Sequence, residues 1–312
     1  RTEAGWLPPE KRQLCLEHPT GWLASDALLN SFECHLGQVH YRRCGRTAFA
    51  VGTQGLQAEL LAEWAQAMRR DKMRQILVFP VPNWACSALA NQGFDRMQIG
   101  EEAEVYLPNY RTSGADRANL RQMLARAKRL DLETRFKQRL SSREALLFST
   151  WVKSRPQPQQ MGLFVGTDLG RSDALYSCVY EPSGNCVAWV QARPGYHGRG
   201  FGIDAMVRAP QAPAGAVELA IDGLLKQRQS EGDRWFSLGA VPLRGVRFER
   251  PLLGPICIAL RETQIGNLLF GFSGLGAFKA KFTPRWRPLY LAAHGRLSAN
   301  SLYEGCRLWG LF

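Results

Sequence analysis

The sequence predicts a mixed α/β chain, an α+β architecture assembled from two similar units. Three observations lead there. Runs with a helical apolar period alternate with runs of strand period, from about residue 54 to the C-terminal third. The rhythm recurs: residues 54–100 read helix, strand, helix, strand, and residues 213–238 read helix, strand and a loop. The composition, 45% hydrophobic and 21% charged over 312 residues, is that of a globular chain. Such a chain is long enough to bury a core without disulfide or metal staples. The duplication places a boundary near residues 135–142 and predicts an N-terminal unit over 1–138 and a C-terminal unit over 139–312.

In chain order, helical periodicity covers residues 54–70, 84–92, 114–130, 141–153, 213–229 and 261–271. Strand periodicity covers 74–81, 96–107, 132–136, 174–181, 186–192 and 233–238. The sequence Glu181-Pro-Ser-Gly-Asn185 lies between two alternating runs and reads as a hairpin turn. Pro213 followed by Gly215 marks the start of a helix. In the 114–130 helix, Leu120, Met123, Leu124, Ala127 and Leu130 form one stripe, and Arg117, Arg121, Lys128 and Arg129 fall off it.

Charge narrows the function. The formal net charge is +13, which calls for anionic partners: nucleic acid, phospholipid headgroups or phosphorylated ligands. Only eight of the forty cations are lysine, and the arginine fork suits bidentate phosphate binding. Residues 111–143 carry ten cations against three anions. That segment reads either as a phosphate-binding face, for RNA or lipid, or as a solvated helix face. A second basic stretch, 278–290, interleaves Lys279, Lys281, Arg285 and Arg287 with aromatics and prolines. This pattern suits phosphate groups beside a flat or acyl surface, or an edge strand kept soluble by its cations.

Other chemistries are not signalled. None of the eight cysteines forms a CxxC pair, and they read as reduced, mostly buried thiols. Cys34 with His35 and His40 is the one cluster near ligand spacing, without a second pair, so no metal is expected. No run of about 18 apolar residues exists to span a membrane, and no signal peptide is visible. The chain begins at Arg1 rather than methionine, and is expected to be a piece of a longer protein. Nucleophile-elbow, zinc-protease, Walker and dinucleotide motifs are absent.

His197-Gly-Arg-Gly-Phe-Gly202 is glycine-rich and mimics a pyrophosphate loop, but no helix is signalled at Gly202, so it reads as a loop between strands. Four segments then follow a fixed order: Ile99-Gly-Glu-Glu-Ala-Glu-Val-Tyr-Leu107, the 202–215 segment with Asp204-Ala-Met-Val207, Trp235-Phe-Ser-Leu-Gly-Ala-Val-Pro-Leu243, and 272–291 with Lys279, Lys281 and Arg285. In that order they resemble the C-terminal synthase domain of the bacterial aminoacyl-phosphatidylglycerol synthases, the multiple-peptide-resistance lysyl- and alanyl-transferases. The resemblance covers nearly the whole chain.

The resemblance implies two tandem GNAT-like acyltransferase units. It implies transfer of an amino acid from aminoacyl-tRNA to a hydroxyl of a membrane phospholipid, phosphatidylglycerol above all. Aminoacyl-tRNA is then a co-substrate and no further cofactor is needed. The implied partners are aminoacyl-tRNA, an anionic phospholipid surface and a preceding transmembrane region of the same protein, at the cytoplasmic face of the membrane. It assigns catalysis to Asp204, Lys279, Glu101 and Glu102, and lipid phosphate to Lys281, Arg285, Arg287 and Arg208. The basic helix supplies Arg117, Arg121, Lys128 and Arg129 for tRNA. The chain departs from the family pattern at Val207, where an arginine is displaced to Arg208. It departs again at Gln157-Pro-Gln-Gln-Met-Gly162 and at Gly52-Thr-Gln54. These departures keep two alternatives open: an acyl-CoA-dependent GNAT acyltransferase, and an inactive tRNA- or membrane-binding relative.

Overall fold

The computed structural model describes residues 30–51, 57–154, 169, 173–196, 200–246 and 272–308. The expected helix at 261–271, residues 157–162, 52–54 and the His197–Arg199 part of the glycine-rich loop lie outside the described residues.

Among the described residues, eleven strands form one sheet in the order β1-β2-β3-β4-β11-β5-β10-β9-β8-β7-β6. The first half supplies β1 (Asn30–Cys34), β2 (Gly37–Cys44), β3 (Thr47–Val51), α1 (Ala58–Arg70), β4 (Gln75–Pro82), α2 (Cys86–Asn91) and β5 (Phe94–Tyr106). After α3 (Ala118–Arg129) the second half supplies β6 (Glu133–Lys137), α4 (Ser142–Lys153), β7 (Leu175–Tyr180), β8 (Cys186–Gly195), β9 (Gly200–Arg208), α5 (Ala216–Ser230), β10 (Trp235–Pro242), α6 (Phe272–Ala280), β11 (Arg285–His294) and α7 (Ala299–Leu308).

The halves repeat one plan. An antiparallel meander, β1-β2-β3, leads through α1 to the parallel pair β3–β4. A second meander, β6-β7-β8-β9, leads through α5 to the parallel pair β9–β10. The last strand of each half then crosses over. β5 pairs with β10 of the second half, β11 pairs with β4 of the first, and β5 and β11 pair with each other. Two units of one plan are thus joined so that each half pairs with the other's final strand.

Apolar burial explains the helices. α1 turns Leu60, Leu61, Trp64, Ala65 and Met68 onto Ile76, Val78 and Ala292. α3 and α5 cover the second half through Leu120, Ala127, Ala220, Ile221 and Leu224, against Val105, Val190 and Phe236. Each fully buried leucine or phenylalanine contributes about 1.5–3 kcal/mol. The opposite face of the sheet is covered by α7, with Leu302 on Leu77 and Leu291, and by α4, with Trp151 beside Tyr176 and Trp189. A capping box starts α4: Ser141 and Glu144 exchange side-chain and backbone hydrogen bonds. Gly215 (φ +100°) opens α5, and a Cβ there would lie 2.4 Å from the Met123 carbonyl oxygen, so glycine permits the close packing of α3 on α5.

Two expectations change. The basic-aromatic stretch at 278–290 is not an edge strand: it is the end of α6 followed by β11, in the middle of the sheet. The glycine-rich run does not remain loop throughout, because Gly200 already pairs with Trp235 and begins β9.

Candidate active site

The sheet opens where β9 and β10 part. They pair in parallel from Gly200↔Trp235 to Gly202↔Ser237, after which β9 follows β8 and β10 follows β5. A Cβ on Gly200 would stand 2.1 Å from the Trp235 carbonyl oxygen, so only glycine lets the strands meet here. Two bulges flank the opening. On β10, register shifts between Ser237 and Ala240, and Gly239 takes φ +85°. On β9, Ile203 pairs with Ala192 and Ala205 with Gln191, which leaves Asp204 as the extra residue. Bulges of this kind re-aim side chains beside functional sites.

A buried polar chain lies at the opening. Ser237 Oγ donates to Glu102 Oε1 at 2.5 Å and accepts the Gly239 backbone N–H at 2.9 Å. Arg287 Nη2 reaches Glu102 Oε2 at 2.7 Å and Glu104 Oε1 at 3.0 Å. Tyr196 OH donates to the same Glu104 oxygen at 2.8 Å. The period-two alternation of β5 aims Glu102 and Glu104 at one face, and β11 sets Arg287 directly opposite Glu102. Burial, followed by Glu104 and Glu102, pushes the Tyr196 phenol well above its ordinary range, so it stays a donor.

Lys279 enters from α6, whose Phe278 packs on the α5 side of the sheet. It is 3% exposed, and Nζ donates to the Ala240 carbonyl at 3.0 Å. A Cβ on Gly239 would lie 3.3 Å from that nitrogen, so the glycine makes room for it. Burial lowers Lys279 to about 7, against the opposing pull of Glu102. The amine therefore exchanges its proton near neutrality. Asp204 is held by Arg193, whose Nη1 is 3.6 Å from Asp204 Oδ2 and whose Nη2 is 3.3 Å from Asp173 Oδ2.

Of the residues expected from sequence, Glu102, Lys279 and Arg287 come together at the β10 bulge, and Asp204 stands on the adjacent β9 bulge. Glu101 does not join them. Strand alternation sends it to the other face, where its Oε2 pairs with Arg244 Nε at 2.8 Å. Lys281 is tied to Glu218 of α5 at 2.7 Å, Arg208 is exposed at the far end of β9, and Arg285 opens β11 opposite Glu104. In the basic helix, Arg117 Nε donates to Thr283 Oγ1 at 2.7 Å and the guanidinium covers the Tyr110 ring. Arg121 bonds the Thr112 and Gly114 carbonyls. Both therefore brace local backbone or side chains, although Arg121 is exposed, as are Lys128 and Arg129.

Sequence reasoning missed Glu104, Ser237, Tyr196 and Arg193. Glu104 had a usable signal, since a carboxylate two residues from Glu102 on a strand shares its face. At the hairpin turn after β1, Glu63 of α1, rather than His40, joins Cys34 and His35, with donor atoms within 4.8 Å of one another. His35 is 75% exposed there. Among the described residues, no helix is long and apolar enough to cross a membrane.

The Phosphatidylglycerol lysyltransferase, C-terminal family matches residues 33–293. Phosphatidylglycerol lysyltransferase of Bacillus subtilis is 25% identical over 206 residues, which is 64% of this chain and 24% of that protein. The lysylphosphatidylglycerol biosynthesis bifunctional protein LysX of Mycolicibacterium gilvum is 26% identical over 213 residues, 65% of this chain and 19% of that protein. The chain thus spans about a quarter or less of the length of these relatives. The solved structure of L-PGS from Bacillus licheniformis superimposes with a TM-score of 0.72 at 22% identity, covering 96% of this chain and 94% of that one, which shows a shared fold. With the family match extending over most of its length, this chain belongs to the phosphatidylglycerol lysyltransferase C-terminal family.

Proposed function

We propose that this chain is an aminoacyltransferase domain that moves an amino acid, lysine or alanine, from aminoacyl-tRNA to a hydroxyl of phosphatidylglycerol at a membrane surface. One observation carries the reading: a buried lysine, whose ammonium form burial disfavours, sits beside a hydrogen-bonded acid–hydroxyl chain at an opening in the sheet. The aminoacyl ester is already activated, so transfer needs positioning, a base and stabilisation of the developing oxyanion.

In the proposed reaction the lipid hydroxyl oxygen attacks the ester carbonyl. Neutral Lys279 takes the hydroxyl proton and returns it to the departing ribose oxygen. The new bond is lipid oxygen to acyl carbon, and the bond broken is acyl carbon to ribose oxygen. Glu102, held by Ser237 and Arg287, fixes the electrostatics around Nζ, and Asp204 receives the α-ammonium of the aminoacyl group. Arg285, at the start of β11, and the exposed Arg208 are the candidates for the lipid phosphate. We divide the chain into two units at the start of β6 (Glu133), ahead of the boundary at 138 expected from the sequence, because that strand opens the second meander.

The test is transfer from charged tRNA to phosphatidylglycerol vesicles across pH. The rate should rise through pH about 7 as Nζ loses its proton. Lys279→Met should remove the transfer together with this limb. A Lys279→Met domain of normal melting temperature and undiminished rate would refute the assignment.

A further inference from the structure

The proposed donor is a nucleic acid, and the following inference rests on that reading. Among the described residues, β6 ends the strand order, so the stretch from the last turn of α3 through β6 into α4 forms an outer edge of the sheet these residues build. Along it Arg126, Lys128, Arg129, Arg135, Arg139 and Arg143 are all exposed. The acid nearest in sequence to Arg143, Glu144, does not screen them: it is buried and occupied by Lys137, Tyr180 and the Ser141 N–H. Arg135 lies 4.7 Å over the Tyr180 ring and pairs with Glu133 at 3.2 Å; Asp131 and Glu133 are the exposed acids of this stretch, so the six cations keep a surplus of four. Phe136 of the same strand is 40% exposed. Five of these six cations are arginine, the residue whose planar fork matches phosphate.

Distance decides between two polyanions. From β6 to Ser237 on β10 is four strand spacings in the sheet order, about 19 Å at roughly 4.8 Å each. The headgroup layer of a bilayer is only about 6 Å deep, so a membrane docked on this edge would leave its headgroups short of the opening. A nucleic-acid strand advances roughly 3.4 Å per nucleotide even when stacked, and more when unstacked. A short unpaired tail therefore spans the gap. We propose that the β6 edge docks the helical stem of an RNA, whose unpaired 3′ tail runs past the ends of β7, β8 and β9 to the opening at Ser237. Recognition there is by phosphate and A-form shape rather than by base sequence.

The probe is a fluorescent RNA hairpin with an unpaired 3′ tail, titrated by anisotropy against the 312-residue domain. Phosphatidylglycerol vesicles serve as the competing polyanion in a flotation assay. The variant is Arg129→Glu/Arg139→Glu/Arg143→Glu, three exposed positions, with the melting temperature as the folding control. The proposal expects RNA binding at least about tenfold weaker at about 0.1 M salt, and a salt slope shallower by about 2, with vesicle binding retained. RNA binding within about twofold of the parent overturns it, as does loss of vesicle binding with RNA binding kept. Aminoacyl transfer separates the two readings. A parent domain that transfers nothing, while the variant still loses RNA, removes the catalytic reading and leaves the surface. A variant that transfers with an unchanged KM for the charged RNA removes the surface and leaves the catalysis.

Discussion

Arg287→Met should be among the most destabilising single changes in this chain. The guanidinium joins Glu102 and Glu104 at 2.7 and 3.0 Å, and both carboxylates are at most 2% exposed. Methionine matches much of the arginine volume but leaves two like charges facing each other in the sheet. Removing one partner of a buried ion pair costs about 3–5 kcal/mol, because the charge left behind loses its compensation. In a domain of this size about 1 kcal/mol moves the melting temperature by roughly 2 °C, so the expected drop is about 6–10 °C. Urea unfolding should show a lower midpoint at an unchanged slope, the mark of lost stability rather than a changed unfolded state. The deficit should shrink in acid, where protonation removes the uncompensated charge. Adding Glu102→Gln should recover part of the loss, as expected for residues that share a network. A loss below about 1 kcal/mol, the size of an exposed pair, would refute the view that this bridge ties the two exchanged strands together.

Two further predictions concern the scaffold. Gly215→Ala should destabilise by more than about 1 kcal/mol, since the residue combines φ +100° with a Cβ 2.4 Å from the Met123 oxygen; a melting curve equal to the parent's would contradict this. Glu144 is raised by burial but lowered further by hydrogen bonds from Lys137, Tyr180 and Ser141, to about 2 against an ordinary 4.5. A depressed carboxylate contributes stability that is complete above its unfolded value and is lost as pH falls through its folded value. Glu144→Gln should therefore cost about 3 kcal/mol at neutral pH and little near pH 2, and a loss independent of pH would contradict it.

Much of this fold was legible in the sequence because its elements obey their local period. The helices ending at Arg70, at Lys153 and near Gln229 appear where apolar spacing put them, as do β4, β5, β7 and β8. The elements that escaped obey tertiary demands. β11 reads Arg-Trp-Arg-Pro because Arg287 answers acids on a strand some 185 residues away, which no local pattern can report. Pro288 made a central strand look improbable, yet it stands next to the register shift at Leu289 and Tyr290, where the ladder is already irregular. β9 hid behind its glycines, which are there for the close approach to Trp235.

The candidate site divides the same way. Glu102, Asp204 and Lys279 were found through the order of their segments, whereas Ser237 and Tyr196 acquire meaning only through partners distant in sequence. The adjacent pair Glu101 and Glu102 was read as one feature, but a strand sends neighbours to opposite faces. The basic segment was likewise read as one surface, although Arg117 and Arg121 are consumed by local hydrogen bonds.

The most direct test of the proposed activity is to count label in the lipid extract after incubating the purified domain with phosphatidylglycerol vesicles and radiolabelled aminoacyl-tRNAs. The account predicts label in the lipid, its loss with Lys279→Met, and the identity of the transferred amino acid from the tRNA pool that supplies it. A folded domain that binds charged tRNA and vesicles yet leaves the lipid unlabelled would contradict it.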